Sequence, residues 1–235
     1  MSLCILLSTC DKYVKMAGFT RAMLDRYWAG HPPVFFCGAK SGSGPEWLTL
    51  RNDPSDWVGI THAAVEDLFA RGYRQTYLIL EDHPPLGPCN KEHLNRTLPG
   101  LLDRLSAATI GLYGWDQRAP SKGAVLGSDH YRLQKQDSEF LWQFSLHPAL
   151  WHLEALKALL ESLLRTNDLK LRSPWAFERR SGAPDFPVPE LCRNRSYRVC
   201  GLCMLGGSHR LRRRVGRLFE FRAIDLLRWC AGRLG

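Results

Sequence analysis

The stretch Gln75-Thr-Tyr-Leu-Ile-Leu-Glu-Asp-His-Pro-Pro85 decides how the chain is read. Gln75–Leu80 is a continuous apolar run rich in residues that favour extended backbone, the pattern of a strand buried on both faces. It ends abruptly in Glu81, Asp82 and His83, and Pro84-Pro85 prevents the strand from continuing. A strand covered on both sides needs helices above and below it. The sequence on either side supplies them.

Upstream, Leu3–Thr9 reads as a first buried strand ending in a polar turn at Asp11-Lys-Tyr13. Met16, Phe19, Met23 and Tyr27 then recur at helical spacing. Pro33–Cys37 and Trp47–Leu50 read as short strands around a Gly/Ser loop at Lys40–Pro45. Asp53-Pro-Ser55 supplies cap chemistry for a helix whose apolar stripe is Trp57, Thr61, Ala64, Val65, Leu68 and Phe69, and Gly72 stops it.

Downstream, Asn90 caps a helix over Lys91–Leu105 that Pro99-Gly100 kinks or breaks. Thr109–Tyr113 and Phe140–Leu146 read as strands, with a polar loop over Trp115–Arg132 between them. Pro148 opens a helix to about Leu164, and the proline-rich Arg172–Glu190 reads as a loop. This alternation predicts an α/β fold with a mainly parallel sheet and helices on both faces. Ligands of such sheets bind at the carboxyl ends of the strands, so the turns after Thr9, Leu80 and Leu146 are the places to search.

Charge divides the chain. Residues 1–192 carry 21 Lys+Arg against 21 Asp+Glu, whereas 193–235 carry 11 Arg, no Lys, and only Glu220 and Asp225. The whole net charge of +9 therefore sits in the tail, and we divide the chain into a body, 1–190, and a basic tail, 191–235. Val215, Phe219, Ala223, Leu226, Leu227, Cys230 and Leu234 recur there at helical spacing behind Arg210, Arg212, Arg213, Arg214 and Arg217. Such a helix either lies on an anionic membrane surface or packs on the body with its arginines in water. Nucleic-acid binding through the tail is disfavoured, because the body is neutral and no reading motif accompanies the arginines.

No apolar run approaches the roughly 18–20 residues that span a bilayer. The first residues read as a core strand and not as a signal peptide. Cys4, Cys10, Cys37, Cys89 and Cys230 are scattered, several in apolar runs, as reduced core cysteines would be. The expectation is a cytoplasmic protein, peripheral on the inner face of the membrane if the tail binds lipid. Cys192, Cys200, Cys203 and His209 could form a zinc site, but a single C-x-x-C is weak support and structural zinc is not expected.

Four segments could carry chemistry. Glu81 and Asp82 at a strand end could hold a hard divalent cation, or be solvated acids on a capped strand. Thr9, Asp11 and Tyr13 could hold a ribose and base, or be a turn before a helix. Gln143 and His147 flank a turn that ends in Trp151, with Trp151 a core residue and His147 a cap in the plainer alternative. Glu178 follows Trp175 and Phe177, where apolar neighbours could raise its pKa for general-base work. Alternatively it is an exposed loop acid paired with Arg179-Arg180.

Together, Leu6-Leu-Ser-Thr-Cys-Asp-Lys-Tyr13, Tyr77-Leu-Ile-Leu-Glu-Asp-His83, Phe144-Ser-Leu-His-Pro-Ala-Leu-Trp151 and Ser173-Pro-Trp-Ala-Phe-Glu178 resemble a group of bacterial glycosyltransferases with a GT-A-like fold, mostly described as hypothetical or polysaccharide-synthesis proteins. The resemblance covers roughly residues 3–180 and leaves the tail unaligned. It implies a nucleotide-diphosphate sugar held at the ends of the first strands by Thr9, Asp11, Tyr13, Glu81 and Asp82. Mn²⁺ or Mg²⁺ would bridge the diphosphate. It implies Glu178 as the base for an inverting transfer to a glycan or lipid-linked acceptor, with Gln143, His147 and Trp175 toward acceptor or sugar. The usual acidic signature has acids at its first and third positions, and here the third is His83. Either Asp82 is the main ligand, or His83 is a ligand too, or the metal role is weakened. A non-catalytic sugar-nucleotide-binding protein is the rival reading.

Overall fold

The computed structural model describes residues 2–38, 40, 42–48, 53, 55–85, 87–112, 124–128, 131–136, 144, 146–166, 168–181 and 183–200. The fold is α/β. Among these residues eight strands form one mixed sheet: β1 (Leu3–Ser8), β2 (Val34–Cys37), β3 (Gln75–Leu80), β4 (Thr109–Gly111), β5 (Ala124–Ser128), β6 (Tyr131–Lys135), β7 (Ala149–His152) and β8 (Ser196–Cys200). Their order across the sheet is β2-β1-β3-β7-β4-β8-β6-β5. Neighbours β2-β1, β1-β3 and β4-β8 are parallel, and the other pairings are antiparallel. Only β6 and β7 run against the rest, so strand direction is mostly parallel although the ladders are mixed.

The helices are α1 (Val14–Tyr27), α2 (Trp57–Ala70), α3 (Leu98–Arg104), α4 (Leu153–Arg165) and α5 (Pro174–Arg180). Side chains alternate across a strand, and β1 shows the consequence. Cys4 and Leu6 enter one core with α2, α4 and α5, while Ile5 and Leu7 enter a second with α1 and α3. On β3, Leu78 takes the first side and Tyr77 and Ile79 the second. That is why Gln75–Leu80 is apolar throughout: both of its faces are covered.

Several elements differ from the sequence expectation. The buried stripe of α1 is Ala17, Thr20 and Leu24, continued by Trp28, and not Met16, Phe19, Met23 and Tyr27, which flank it half-buried. Small Ala17 and Thr20 let the helix approach the sheet, and the larger residues pack around the contact. The cap of α2 is Asp56, which accepts from Gly59 N at 2.9 Å, while Asp53 turns back to Ser55 N at 2.9 Å. Pro99 does not break its helix. The chain passes through a π-turn at His93–Thr97, and Pro99 stands in the first turn of α3, where a missing N–H is tolerated.

Within the expected Trp115–Arg132 loop stand β5 and the first two residues of β6, an antiparallel pair. The helix expected from Pro148 begins at Leu153, because Ala149–His152 is extended and pairs with both β3 and β4. Arg172–Glu190 contains α5, with Pro174 in its first turn and Ser173 Oγ accepting from Ala176 N at 3.2 Å. The strand expected over Trp47–Leu50 is a single parallel bridge from Trp47 to Phe36 among the described residues. Ser196–Cys200 of the basic segment is strand β8, so the sheet extends past the expected body boundary. Among the described residues no helix is long and apolar enough to cross a membrane.

Candidate functional site

The crevice follows from connectivity. From β1 the chain crosses by α1 to β2 on one side, then returns by α2 to β3 on the other side of β1. The crossovers lie on opposite faces, as their separate cores show. They diverge between β1 and β3 at the carboxyl edge, where open α/β sheets bind ligands. Thr9–Tyr13 leaves β1 at this edge, and Glu81-Asp82-His83 leaves β3 beside it.

The rim is fixed by backbone and side-chain contacts. Glu81 N donates to Ser8 O at 3.1 Å, and Thr9 N to Cys37 O at 3.0 Å. Thr20 Oγ1, fully buried on α1, donates to Glu81 O. Trp57 Nε1 donates to Ser8 Oγ at 3.0 Å from the opposite face. Gly38 takes φ +102°, and a Cβ there would lie 2.0 Å from Thr9 O. The ends of β1 and β3 are thus bonded to each other and held from opposite faces, β3 by Thr20 and β1 by Trp57.

Reversed strand β7 explains how distant sequence joins this rim. Because β7 runs against β3, Ala149 pairs with Leu78, and the residues before it enter at the edge where β3 leaves. His147 therefore meets His83: Nδ1 of His147 lies 2.9 Å from Nε2 of His83, with the rings edge to face at 4.9 Å. The other nitrogen of His83, Nδ1, is 2.8 Å from Asp82 Oδ1. Asp82, His83 and His147 form one chain across two elements.

Their electrostatics diverge. Burial, above all, pushes the Glu81 carboxyl up to about 7, with neighbouring Asp82 adding to it and the Glu81 backbone and His83 opposing. Burial also works to raise Asp82, but His83 beside it, its own backbone and His147 bring it net below its ordinary value. Burial, then His83, push His147 down to about 4 against the pull of Asp82. Near neutral pH the site holds an ionised Asp82, a neutral His147 and a Glu81 poised between its two states.

Glu178 is not the exposed loop acid of the plainer expectation. It is 7% exposed on α5, and its Oε1 accepts from Leu146 N at 3.0 Å. It thereby fixes the backbone immediately before His147. Ser181 does the same two residues earlier, its Oγ accepting from Phe144 N at 3.1 Å. Trp151 is buried in the core as the plainer alternative held, but His147 caps no helix, since it precedes a strand. Trp175 is 70% exposed on α5. Asp11 and Tyr13 lie exposed in a single 3-10 turn after β1. Gln143 lies outside the described residues.

No protein-family model matches the chain, and no curated protein matches it.

The cysteines bear on metal chemistry. Cys4, Cys10, Cys37, Cys89 and Cys192 are free thiols. Cys192 is in the core with its Sγ 3.3 Å from Ala155 O, and burial pushes it up to about 12. Cys203 and His209 lie outside the described residues, as do the tail's apolar stripe and arginines. Sequence reasoning missed Thr20 and Ser181, which position the site through backbone contacts. Neither stands in a motif, and only the packing of α1 and α5 reveals them.

Proposed function

We propose that the protein is a nucleotide-sugar-dependent glycosyltransferase whose donor diphosphate lies between the ends of β1 and β3. One observation carries this reading: the paired carboxylates Glu81-Asp82 and the polar Thr9–Tyr13 turn share the carboxyl edge of the sheet at its switch point. The mixed sheet with reversed β7 is compatible with a GT-A-like architecture. In this reading Thr9, Asp11 and Tyr13 face the ribose and base, and His147 the sugar. Glu178 serves the acceptor side with one oxygen committed to Leu146 N. Trp175 and a glycan or lipid-linked acceptor belong to the outer part of the site.

Asp82 could supply one carboxylate to a divalent cation, although the described residues gather no group of three or more His, Cys, Asp or Glu side chains as a metal site. Its carboxylate is half exposed and held ionised, and Mg²⁺ or Mn²⁺ sites often use one or two protein carboxylates completed by phosphates and water. Bound there, the cation would neutralise charge on the departing nucleoside diphosphate. His83 fits less well, because its Nε2 contacts His147 and its Nδ1 lies 2.8 Å from Asp82 Oδ1, so ligation by it would disturb one of the two. That engagement is also what favours a second reading, a protein that binds the sugar nucleotide without transferring the sugar.

Thermal unfolding with uridine and guanosine diphosphates, with and without Mn²⁺, tests the proposal, since a ligand of the native state raises its apparent stability. The expected result is Mn²⁺-dependent stabilisation that Asp82→Asn abolishes. If no nucleoside diphosphate stabilises the wild type with any divalent ion, the reading fails. Stabilisation by nucleotide sugars with no release of diphosphate in the presence of acceptors would select the binding-only reading.

A further inference from the structure

We infer that the corner made by the 3-10 helix Leu169–Arg172 and α5 docks on an anionic lipid surface. Among the described residues Leu169 is 73% exposed and Trp175 70%, far above the next large apolar side chains, Tyr13 and Leu191, each at 38%. A single exposed leucine needs no explanation. Here two such residues stand on successive elements that pack together and are joined through Ser173.

Both elements are anchored from below, so the exposure is not a loose end. Leu171, Phe177 and Glu178 are buried on their inner sides. Arg172 Nη1 pairs with Asp56 Oδ2 at 2.7 Å, tying the corner to the cap of α2. Asp168 Oδ1 accepts from Lys170 N at 2.9 Å and sets the turn that presents Leu169.

Three exposed cations lie close in sequence to the two apolar tips. Lys170 adjoins Leu169, Arg165 ends α4 four residues earlier, and Arg179 lies one turn from Trp175 on the same side of α5; all three are exposed. Aromatic and aliphatic tips flanked in sequence by Lys and Arg suit the headgroup boundary of an anionic bilayer, where rings and aliphatic chains enter the interface and cations meet phosphates.

Charge decides against other occupants. The tail beyond residue 200 and a second copy of this corner are both basic, so each would meet like charge. An acidic glycan satisfies the cations and Trp175, but an aliphatic side chain has no ring to stack on a sugar, and Leu169 is the more exposed of the two. On its buried side the same helix anchors the rim segment, Glu178 Oε1 accepting from Leu146 N at 3.0 Å.

Sedimentation of the full-length protein with vesicles of phosphatidylglycerol in phosphatidylcholine, against pure phosphatidylcholine, tests the proposal. The assay contains no nucleotide or acceptor, so its outcome is independent of the transferase reading. The wild type is expected to bind anionic vesicles only, and less as salt rises. Leu169→Ser/Trp175→Ser and Lys170→Glu/Arg179→Glu should each weaken partitioning by roughly tenfold with an unchanged melting temperature, because all four side chains are exposed. Wild-type partitioning by Leu169→Ser/Trp175→Ser would assign any membrane contact to the tail and overturn the proposal. Absence of wild-type binding at low salt would do the same. So would variants that lose binding to a polyuronate while keeping vesicle binding.

Discussion

His83 Nε2 and His147 Nδ1 stand 2.9 Å apart, and this contact joins the end of β3 to the segment that enters β7. Each histidine alone would be an ordinary rim residue. As a pair they share one proton position. Replacing either by alanine leaves the other with a lost partner, so single substitutions should cost more than half of what the double costs. A double-mutant cycle measured by urea unfolding should give a coupling of about 1 kcal/mol. Additive effects would mean that the contact contributes nothing to holding the two elements together.

The same cluster gives opposite pH dependences that can be separated. Glu81 has a raised folded pKa, about 7 against the ordinary 4.5, so the folded state holds a proton that the unfolded chain releases between those values. Stability from Glu81 is greatest below about 4.5 and falls as pH rises to 7. His147 is depressed to about 4 from 6.5, so the unfolded chain takes a proton that the folded protein refuses. Stability from His147 is present above 6.5 and falls as pH drops toward 4. Glu81→Gln should therefore stabilise the protein at pH 8, by roughly 1–2 kcal/mol after allowance for its partial exposure, and by little at pH 4. His147→Asn should flatten the loss between 6.5 and 4. Unfolding midpoints across this range check both signs.

The sequence made β3 legible because burial on both faces leaves an unmistakable apolar run, and the abrupt acidic end marked the crevice. α2 and α4 were legible for a similar reason, since most of each apolar stripe faces a single core, although in α2 the expected Phe69 is 36% exposed and Ile60 is buried instead. α1 was misread because its closest approach uses Ala17 and Thr20, which carry little hydropathy, while Met16 and Phe19 are only half-buried. β7 was misread for a different reason. Ala149–His152 adjoins a leucine-rich helical stripe, and its extended state is imposed from outside, by ladders with β3 and β4 on both sides. The meeting of His83 with His147 depends on that reversal, which nothing in either local segment announces.

Glu178 offers a separation between positioning and chemistry. Its buried carboxylate accepts the Leu146 amide, and an alanine there would leave that N–H unsatisfied inside the protein. Glu178→Ala should lower stability by about 2 kcal/mol. Glu178→Gln keeps a carbonyl acceptor and should cost less than half as much. If Glu178 also removes the acceptor proton in the proposed transfer, the glutamine variant should bind donor as before and lose roughly 10²–10⁴-fold in turnover. Denaturation and turnover measured on the same two variants distinguish the roles. A glutamine variant with full turnover confines Glu178 to holding the segment before His147.

Gly38 tests whether the end of β1 must be held as tightly as the contacts imply. Its φ of +102° is open to glycine and strained for any other residue, and an added Cβ would lie 2.0 Å from Thr9 O. The obstacle is backbone, so no side-chain rotation relieves it. Either the loop after β2 moves or Thr9 does, and Thr9 N is bonded to Cys37 O just before the glycine. Gly38→Ala should therefore cost about 2 kcal/mol or more in unfolding free energy. It should also weaken any ligand held by the Thr9–Tyr13 turn, because the displaced carbonyl belongs to the first residue of that turn. Gly30→Ala is the control: its φ is +76°, yet a Cβ there meets nothing within 4 Å. It bears the conformational strain without the collision, so the excess loss at Gly38 measures the contact itself. Equal losses at the two glycines would show that the strands part easily at this edge and that the rim is not rigidly set by β1 and β2.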